Sequence, residues 1–408
     1  MRLYPFVIKL GSPFNEKARL WVKGREAIFY RLKNSIQPGD KLIWMHCSSL
    51  GEFEQGRPLL ERIKSNYSSY KILLTFFSPS GYEVRKKYAG ADYIFYLPVD
   101  SKQNAERFFE ITKPQLIIFV KYEFWFYYLQ EAKKRNIPLL LISAIFRKRQ
   151  PFFSSYGNFH RSMLSCFTHL FVQNAESVNL LQTIRFTQNV TLSGDTRFDR
   201  VIEIAENFEP ISFIEDFCAG FNVVVAGSTW PEDDKELAHY VNTRNTVKFI
   251  IAPHNIGKDR LRECSKFYKH SILFSSLNGS LPASDINTII IDNIGMLSRL
   301  YKYATICYVG GGFGADGVHN VLEAAVYGKP VVYGPEYEKF NEAIELVESG
   351  GGVNIENALE LEAAFDNLLN NPSGYFYKAG ASLSYVYANG GSTDKIVGFI
   401  HENRLLTS

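Results

Sequence analysis

One rhythm constrains this 408-residue chain more than any other feature. Short, almost wholly apolar runs recur between stretches with helical spacing. KLIWMHC (41–47), KILLTFF (71–77), DYIFYLP (92–98), QLIIFVK (115–121), PLLLISA (138–144), HLFVQN (169–174) and VTLSG (190–194) form a first series. RPLLERIKSN and FYYLQEAKKRN are typical of the segments between them. A strand that is apolar on both faces is covered on both faces, and strand–helix alternation gives a parallel sheet. The rhythm starts again at FNVVVAGS (221–228) and runs through VKFIIAPH (247–254), SILFSSL (271–277), NTIIIDN (287–293), ATICYVG (304–310) and PVVYGP (330–335). The prediction is α/β: two doubly wound, Rossmann-like domains facing across a cleft, joined near 203–220.

In open parallel sheets, ligands bind beyond the carboxyl ends of the strands. The loops just after strands therefore hold the candidate sites. They are CSSLGE (47–52), TFFSPSGYE (75–83), VKYEFW (120–125), GSTW (227–230), APHN (252–255) and GGGFGADGVHN (310–320).

Charge divides the chain. Residues 1–200 hold 30 Lys and Arg against 16 Asp and Glu, and residues 201–408 hold 15 against 26. A basic half suggests an anionic partner, with a solvated surface bias as the alternative. Residues 1–35 carry eight Lys and Arg beside Leu3, Tyr4, Phe6, Val7, Ile8, Leu10, Phe14, Leu20 and Trp21. Such a stripe either lies on an anionic membrane or docks on its own domain. Pro5 and Gly11-Ser12-Pro13 break it, so it is not one long helix. No apolar run reaches the ~18 residues of a membrane span. The five scattered cysteines form no C-x-x-C pair, which argues against a zinc site or a disulfide framework. No His/Cys cluster has ligand spacing, Asp233-Asp234 reads as helix-capping, and no catalytic metal is expected. No nucleic-acid module is recognisable, and the pI of about 8.4 is below the range of such domains.

The glycine-rich loop, running into HNVLEAAVYG, suggests a phosphate cradle: glycines admit close backbone approach, and a helix N-terminus adds positive character. Glu323 is placed to accept from ribose hydroxyls. Two ligands fit: a nicotinamide dinucleotide on Gly310, Gly312 and Ala315 with Glu336 or Glu338 as the ribose acid, or a sugar nucleotide. Glu52, after the Ser49–Gly51 turn, is either a helix cap or a general base.

The ordered set WMHCSSLGEFEQGRPLL, TFFSPSGYE, YEFW, SGDTRFD (193–199), AGSTW, GMLSRLYKYA (295–304) and GGGFGADGVHNVLEAAVYGKPVVYGP resembles the 3-deoxy-D-manno-octulosonic acid (Kdo) transferases of lipopolysaccharide synthesis, over nearly the whole chain. The resemblance implies the two-domain GT-B fold. It implies inverting transfer of Kdo from CMP-Kdo to a phosphorylated glycolipid, the lipid A precursor lipid IVA, with no cofactor or active-site metal. It makes Glu52 the base. It implies CMP-sugar contacts from Ser228, Thr229, His254, Met296, Leu297, Gly311, Gly312, His319, Asn320 and Glu323. Acceptor contacts fall to Ser49, Gly51, Arg57, Lys121, Glu123 and Arg147, with Lys148 and Arg149 nearby. The implied layout is a basic membrane-associating segment at 1–35, an acceptor domain at 36–204, a donor domain at 205–380 and a C-terminal helix at 381–408 that packs back on the first domain. The implied location is the cytoplasmic side of the inner membrane, peripheral or with a short N-terminal anchor. Two positions depart from the family. Lys121 stands where E-x-E has its first acid. Ala252-Pro253-His254 lacks the Arg of A-P-R-H, which leaves Arg260 or Lys258 to supply that charge. Another GT-B nucleotide-sugar enzyme, an NAD-dependent oxidoreductase and a non-catalytic lipid-binding relative are the alternatives.

Overall fold

The computed structural model describes residues 8, 9, 11–277 and 281–407. The chain divides into two compact units, 1–199 with 390–408, and 200–389. Each is a seven-stranded, all-parallel sheet between helices.

In the first unit the strands are β1 (Leu42–Cys47), β2 (Lys71–Phe76), β3 (Tyr93–Tyr96), β4 (Leu116–Val120), β5 (Leu139–Ala144), β6 (His169–Val172) and β7 (Val190–Leu192). Their order is β3-β2-β1-β4-β5-β6-β7. β1 is buried along its whole length. Leu42 and Trp44 join the core on one face, and Ile43, Met45 and Cys47 that on the other. This is why its sequence reads as a continuous apolar run.

The order reverses direction between β1 and β4, so the loops leaving these two strands flank the crevice. The helix Leu50–Asn66 comes close to the sheet there. A Cβ on Gly56 would meet Met45 Sδ and Val120 Cγ2, each at 3.0 Å, one on each of the two strands.

The second unit holds β8 (Asn222–Thr229), β9 (Val247–Pro253), β10 (Ser271–Leu273), β11 (Thr288–Ile290), β12 (Ile306–Val309), β13 (Val331–Tyr333) and β14 (Gly352–Asn354). Their order is β10-β11-β9-β8-β12-β13-β14. Its reversal lies between β8 and β12. Only Ser271–Leu273 of the SILFSSL run is strand; Phe274–Leu277 tightens into a 3-10 turn.

The ends of the chain differ in detail from the sequence reading. Leu3, Tyr4, Phe6, Val7 and Leu10 lie outside the described residues. Helices Glu16–Lys23 and Ile28–Ser35 do bury apolar groups, but within the first unit: Trp21, Ile28 and Leu32 are all nearly inaccessible. Arg25 ties the connection down, donating from Nε to the Leu97 carbonyl at 2.9 Å and from Nη2 to the Phe77 carbonyl at 2.8 Å. The tail is two helices, Pro372–Ala388 and Ser392–Glu402, separated where Gly391 takes a φ of +90°. The second of these belongs to the first unit. Its Ile396 and Ile400 are fully buried beside Leu59, Leu60 and Ile63, each burial worth roughly 1.5–3 kcal/mol. Asp199 fixes the entry by accepting from the amides of Gly391 and Thr393, both at 2.6 Å. Among the described residues no helix is long and apolar enough to cross a membrane.

Candidate functional site

At the crest of the first sheet, Ser49 caps the helix Leu50–Asn66. Its Oγ accepts from the Glu52 amide at 3.4 Å, and Glu52 Oε2 accepts from the Ser49 amide at 3.0 Å. Glu52 is therefore a cap. Its environment is nevertheless costly for a carboxylate. Burial, then the neighbouring Glu123 carboxylate, push it up to about 7, while the amides of Ser49 and Ser48 and the Lys121 ammonium pull the other way. A surface cap has no such shift. A cap and a raised proton affinity coexist here, because the cap bond fixes the carboxyl group at the end of β1 and burial disfavours its charged form.

Glu123 arrives from the loop after β4, on the other side of the sheet reversal. It is buried and accepts from the Trp125 indole N–H. Its Oε2 lies 3.1 Å from His46 Nε2. His46 Nδ1 in turn meets Thr75 Oγ1 at 2.8 Å and the Thr75 carbonyl at 3.1 Å. The Trp44 indole donates to the same hydroxyl at 2.8 Å. Glu123, expected against the acceptor, is thus enclosed and serves as a charged neighbour of Glu52. His46 and Trp125 were not singled out as functional from the sequence, since an apolar strand hides a polar terminal residue. The signal available was their position at the ends of strand and loop, within WMHCSS and YEFW.

Lys121 adopts a left-handed φ of +72°, unusual for a non-glycine residue. Its amide donates to the Ile142 carbonyl at 2.9 Å. Ser143 and Ser228, at the ends of β5 and β8, share this conformation at φ +50° and +56°. Each costs of order 1 kcal/mol or more, and such strain concentrates at functional loops. Arg57 is held within its own helix, donating to Glu61 Oε1 at 2.8 Å and lying 3.9 Å from Glu54. Gly51 lies in the first helical turn with open space around it.

Beside this cluster is a cavity of about 1410 Å³. Its wall is aromatic, with Tyr122, Trp125, Phe126, Phe152 and Phe159 among the lining residues. Lys102, Arg147 and Arg149 supply positive charge. Tyr122 links it to Glu52: burial chiefly raises the Tyr122 phenol, Arg147 opposes this, and the nearby Glu52 charge adds a smaller push upward. The buried Asp100 carboxyl, also lining it, is pushed up to about 6 by burial. Glu52 itself is not among the lining residues.

The second unit repeats the layout with other residues. Ser228, Thr229 and Trp230 leave β8, and the glycine-rich loop leaves β12. The expected phosphate cradle needs correction. The Gly311 amide donates to the buried Asp233 Oδ2 at 2.9 Å, so it is committed within the protein. Asp233 also accepts from the Trp230 amide and the Tyr308 hydroxyl. Gly310 and Gly312 are required by packing: a Cβ would meet the Ser228 carbonyl at 2.5 Å and the Gly334 amide nitrogen at 2.7 Å. The helix expected from His319 is only Leu322–Ala325, too short to carry a useful dipole. The loop also follows the fifth strand of its unit in chain order, where a dinucleotide loop opens the domain.

Three rings occupy the crest. The Trp230 indole N–H donates to His319 Nε2 at 2.9 Å, and the two rings are nearly parallel, 8° apart. His254, from the end of β9, stacks on both, with centroids 4.4 Å from His319 and 4.8 Å from Trp230. Thr229 Oγ1 is buried without a hydrogen-bond partner. Asn320 Nδ2 donates to Glu323 Oε1 at 3.0 Å. Leu297 packs over Gly227, and Met296 precedes its short helix. Arg260 cannot serve as a free cation: its guanidinium binds the buried Asp234 and is itself nearly buried. Lys258 is exposed at the start of the same helix. Among the described residues no group of three or more His, Cys, Asp or Glu is arranged to hold a metal ion.

Two parallel, doubly wound units with their polar residues at the sheet reversals define the GT-B class. Within that class, residues 23–200 match the family described as 3-deoxy-D-manno-octulosonic-acid transferase (kdotransferase), and most of the chain is similar to enzymes of that name. It is 28% identical over 347 residues to the 3-deoxy-D-manno-octulosonic acid transferase of Aquifex aeolicus, covering 83% of this chain and 89% of that one. It is 24% identical to the enzyme of the same name from Haemophilus influenzae, covering 90% and 88%. Among solved structures, the UDP-GlcNAc 2-epimerase of Neisseria meningitidis superposes with a TM-score of 0.62 at 17% identity, covering 89% of this chain and all of that one.

Proposed function

We propose that this glycosyltransferase moves Kdo from CMP-Kdo to the phosphorylated disaccharide lipid IVA, with inversion, at the cytoplasmic face of the inner membrane. In this reading the first unit takes the acceptor and the second holds the donor.

Glu52 removes the proton from the acceptor hydroxyl as its oxygen bonds to the anomeric carbon of Kdo. The bond from that carbon to the CMP phosphate oxygen breaks, and CMP leaves with the electron pair. A base with a proton affinity near neutrality suits this task, and such help contributes about 10²–10⁴-fold. Glu52 is the observation that carries the proposal: a carboxyl at the sheet reversal, held by one cap bond and pushed up to about 7. The aromatic, basic cavity beside it suits a lipid that bears phosphates. The exposed run Arg147-Lys148-Arg149 and the exposed rings of Tyr156 and Phe159 suit a membrane surface. Ser228, Gly312, Asn320, Glu323 and the three stacked rings are the donor contacts in this scheme, with Met296 and Leu297 beside the base.

The test is product formation from CMP-Kdo and lipid IVA by the wild-type protein, and its loss in Glu52→Gln. Full activity in that variant removes Glu52 from the mechanism. Binding of NAD(P), with none of CMP, replaces the whole reading.

A further inference from the structure

We propose that His254 is the proton-accepting cation of the donor site, taking up a proton when a nucleotide phosphate binds, while Trp230 holds its neighbour His319 neutral. This rests on the proposed CMP-sugar reading and adds the source of the positive charge.

The geometry separates the two imidazoles. An indole N–H can only donate, so His319 Nε2, 2.9 Å from Trp230 Nε1, must keep its lone pair. Its proton is then on Nδ1, and a second proton would break the bond. Two imidazolium rings stacked at 4.4 Å and 12° would also repel strongly. The stack therefore accommodates one added proton, and it goes to His254, the more exposed ring. The backbone fixes His254 in place, its amide donating to the Thr229 carbonyl at 3.0 Å.

The charges around the stack agree. Asp316 in the glycine-rich loop favours protonation of both rings. Beneath them, Asp233 is saturated by the Trp230 and Gly311 amides and the Tyr308 hydroxyl, and Asp234 is paired with Arg260. Lys258 and Asp259 open the helix that follows His254. Lys339 is held at the Ala315 carbonyl and lies 3.8 Å from Glu336. Burial lowers His254 below the ordinary histidine range, and lowers His319 to about 4 through burial and the adjacent His254. Near neutrality both rings are thus uncharged before binding. A phosphate anion against His254 raises its affinity for a proton, so binding takes one up.

The sign follows: affinity for CMP falls as pH rises from 6 to 8. Calorimetry of CMP binding to the full chain, in buffers of differing ionisation enthalpy, measures the uptake. Wild type is expected to take up a substantial fraction of a proton, and His254→Asn is expected to lose that fraction. The variant binds roughly tenfold more weakly at pH 6, the size of one charge-assisted hydrogen bond. Cytidine, lacking the phosphate, should show no uptake with either protein. Nitrogen NMR of the wild type gives a readout that needs no variant: His254 becomes doubly protonated on saturation with CMP, and His319 stays neutral. Equal uptake by wild type and His254→Asn, or a neutral His254 at saturation, overturns the inference while leaving the CMP reading intact. No CMP binding by wild type overturns both.

Discussion

The two units use one topology to present different side chains. In each, the sheet reverses beside its first strand, and two strand-end loops project there: after β1 and β4 in one unit, after β8 and β12 in the other. The first unit places carboxylates there and makes one of them basic by burial and by a like charge. The second has its acids, Asp233 and Asp234, committed to backbone and arginine partners and leaves imidazoles outermost. One rim is thereby suited to removing a proton, the other to receiving an anion. The lesson is that the strand order fixes where chemistry happens, and a few loop residues fix which chemistry it is.

The comparison breaks most decisively at Glu52. Glu52→Gln keeps an oxygen for the cap but no base, so kcat falls about 10²–10⁴-fold. Stability separates the two roles. A carboxyl whose folded proton affinity lies above its unfolded value binds more protons when folded, so stability falls as pH rises from about 4.5 to 7. Glu52→Gln removes that penalty and, in denaturant titrations at pH 8, stabilises the protein by roughly 1–2 kcal/mol, allowing for partial exposure. A residue that only caps would show lower stability on replacement and unchanged turnover.

The glycines differ next. Gly310→Ala drives a methyl into the Ser228 carbonyl and the Thr229 Cα, backbone atoms that cannot swing aside, and costs about 1–3 kcal/mol together with most CMP affinity. Gly51→Ala has open space in a helical turn and leaves stability unchanged or raises it by up to about 1 kcal/mol. Thermal unfolding of both variants checks the contrast.

Glu123→Gln sharpens the electrostatic part. It removes the second cause of the Glu52 shift and leaves burial, the first. The acid limb of kcat/KM, near pH 7 in wild type, moves to lower pH without reaching the ordinary carboxylate range. An unmoved limb would show that Glu123 has no electrostatic role. The smallest effect belongs to the cavity rim. Arg149→Ala raises the KM for a phosphorylated acceptor severalfold and weakens the salt dependence of that KM, with kcat little changed.

Much of this was legible in the sequence. Continuous apolar runs marked all the strands but β14, where Gly352–Asn354 is too short and too polar to stand out. The strand-end positions of Glu52, Glu123, His254 and His319 followed from the rhythm. What the sequence withheld was partnership. Nothing in GGGFG shows that the Gly311 amide is taken by Asp233, or that Gly310 and Gly312 answer to Ser228 and Gly334. Arg260 stood as an available charge until Asp234 was seen to hold it. Trp21 reads equally well as part of a membrane stripe or as core, because amphipathic spacing is common to both, and the fold buries it.

Mass spectrometry of lipid IVA incubated with CMP-Kdo and the purified full-length protein, with CMP release followed in parallel, tests the central claim most directly. The expected result is a glycolipid heavier by whole Kdo units, one CMP released for each unit, and neither signal from Glu52→Gln. An unchanged lipid mass with CMP-Kdo intact, or equal turnover by Glu52→Gln, would contradict it.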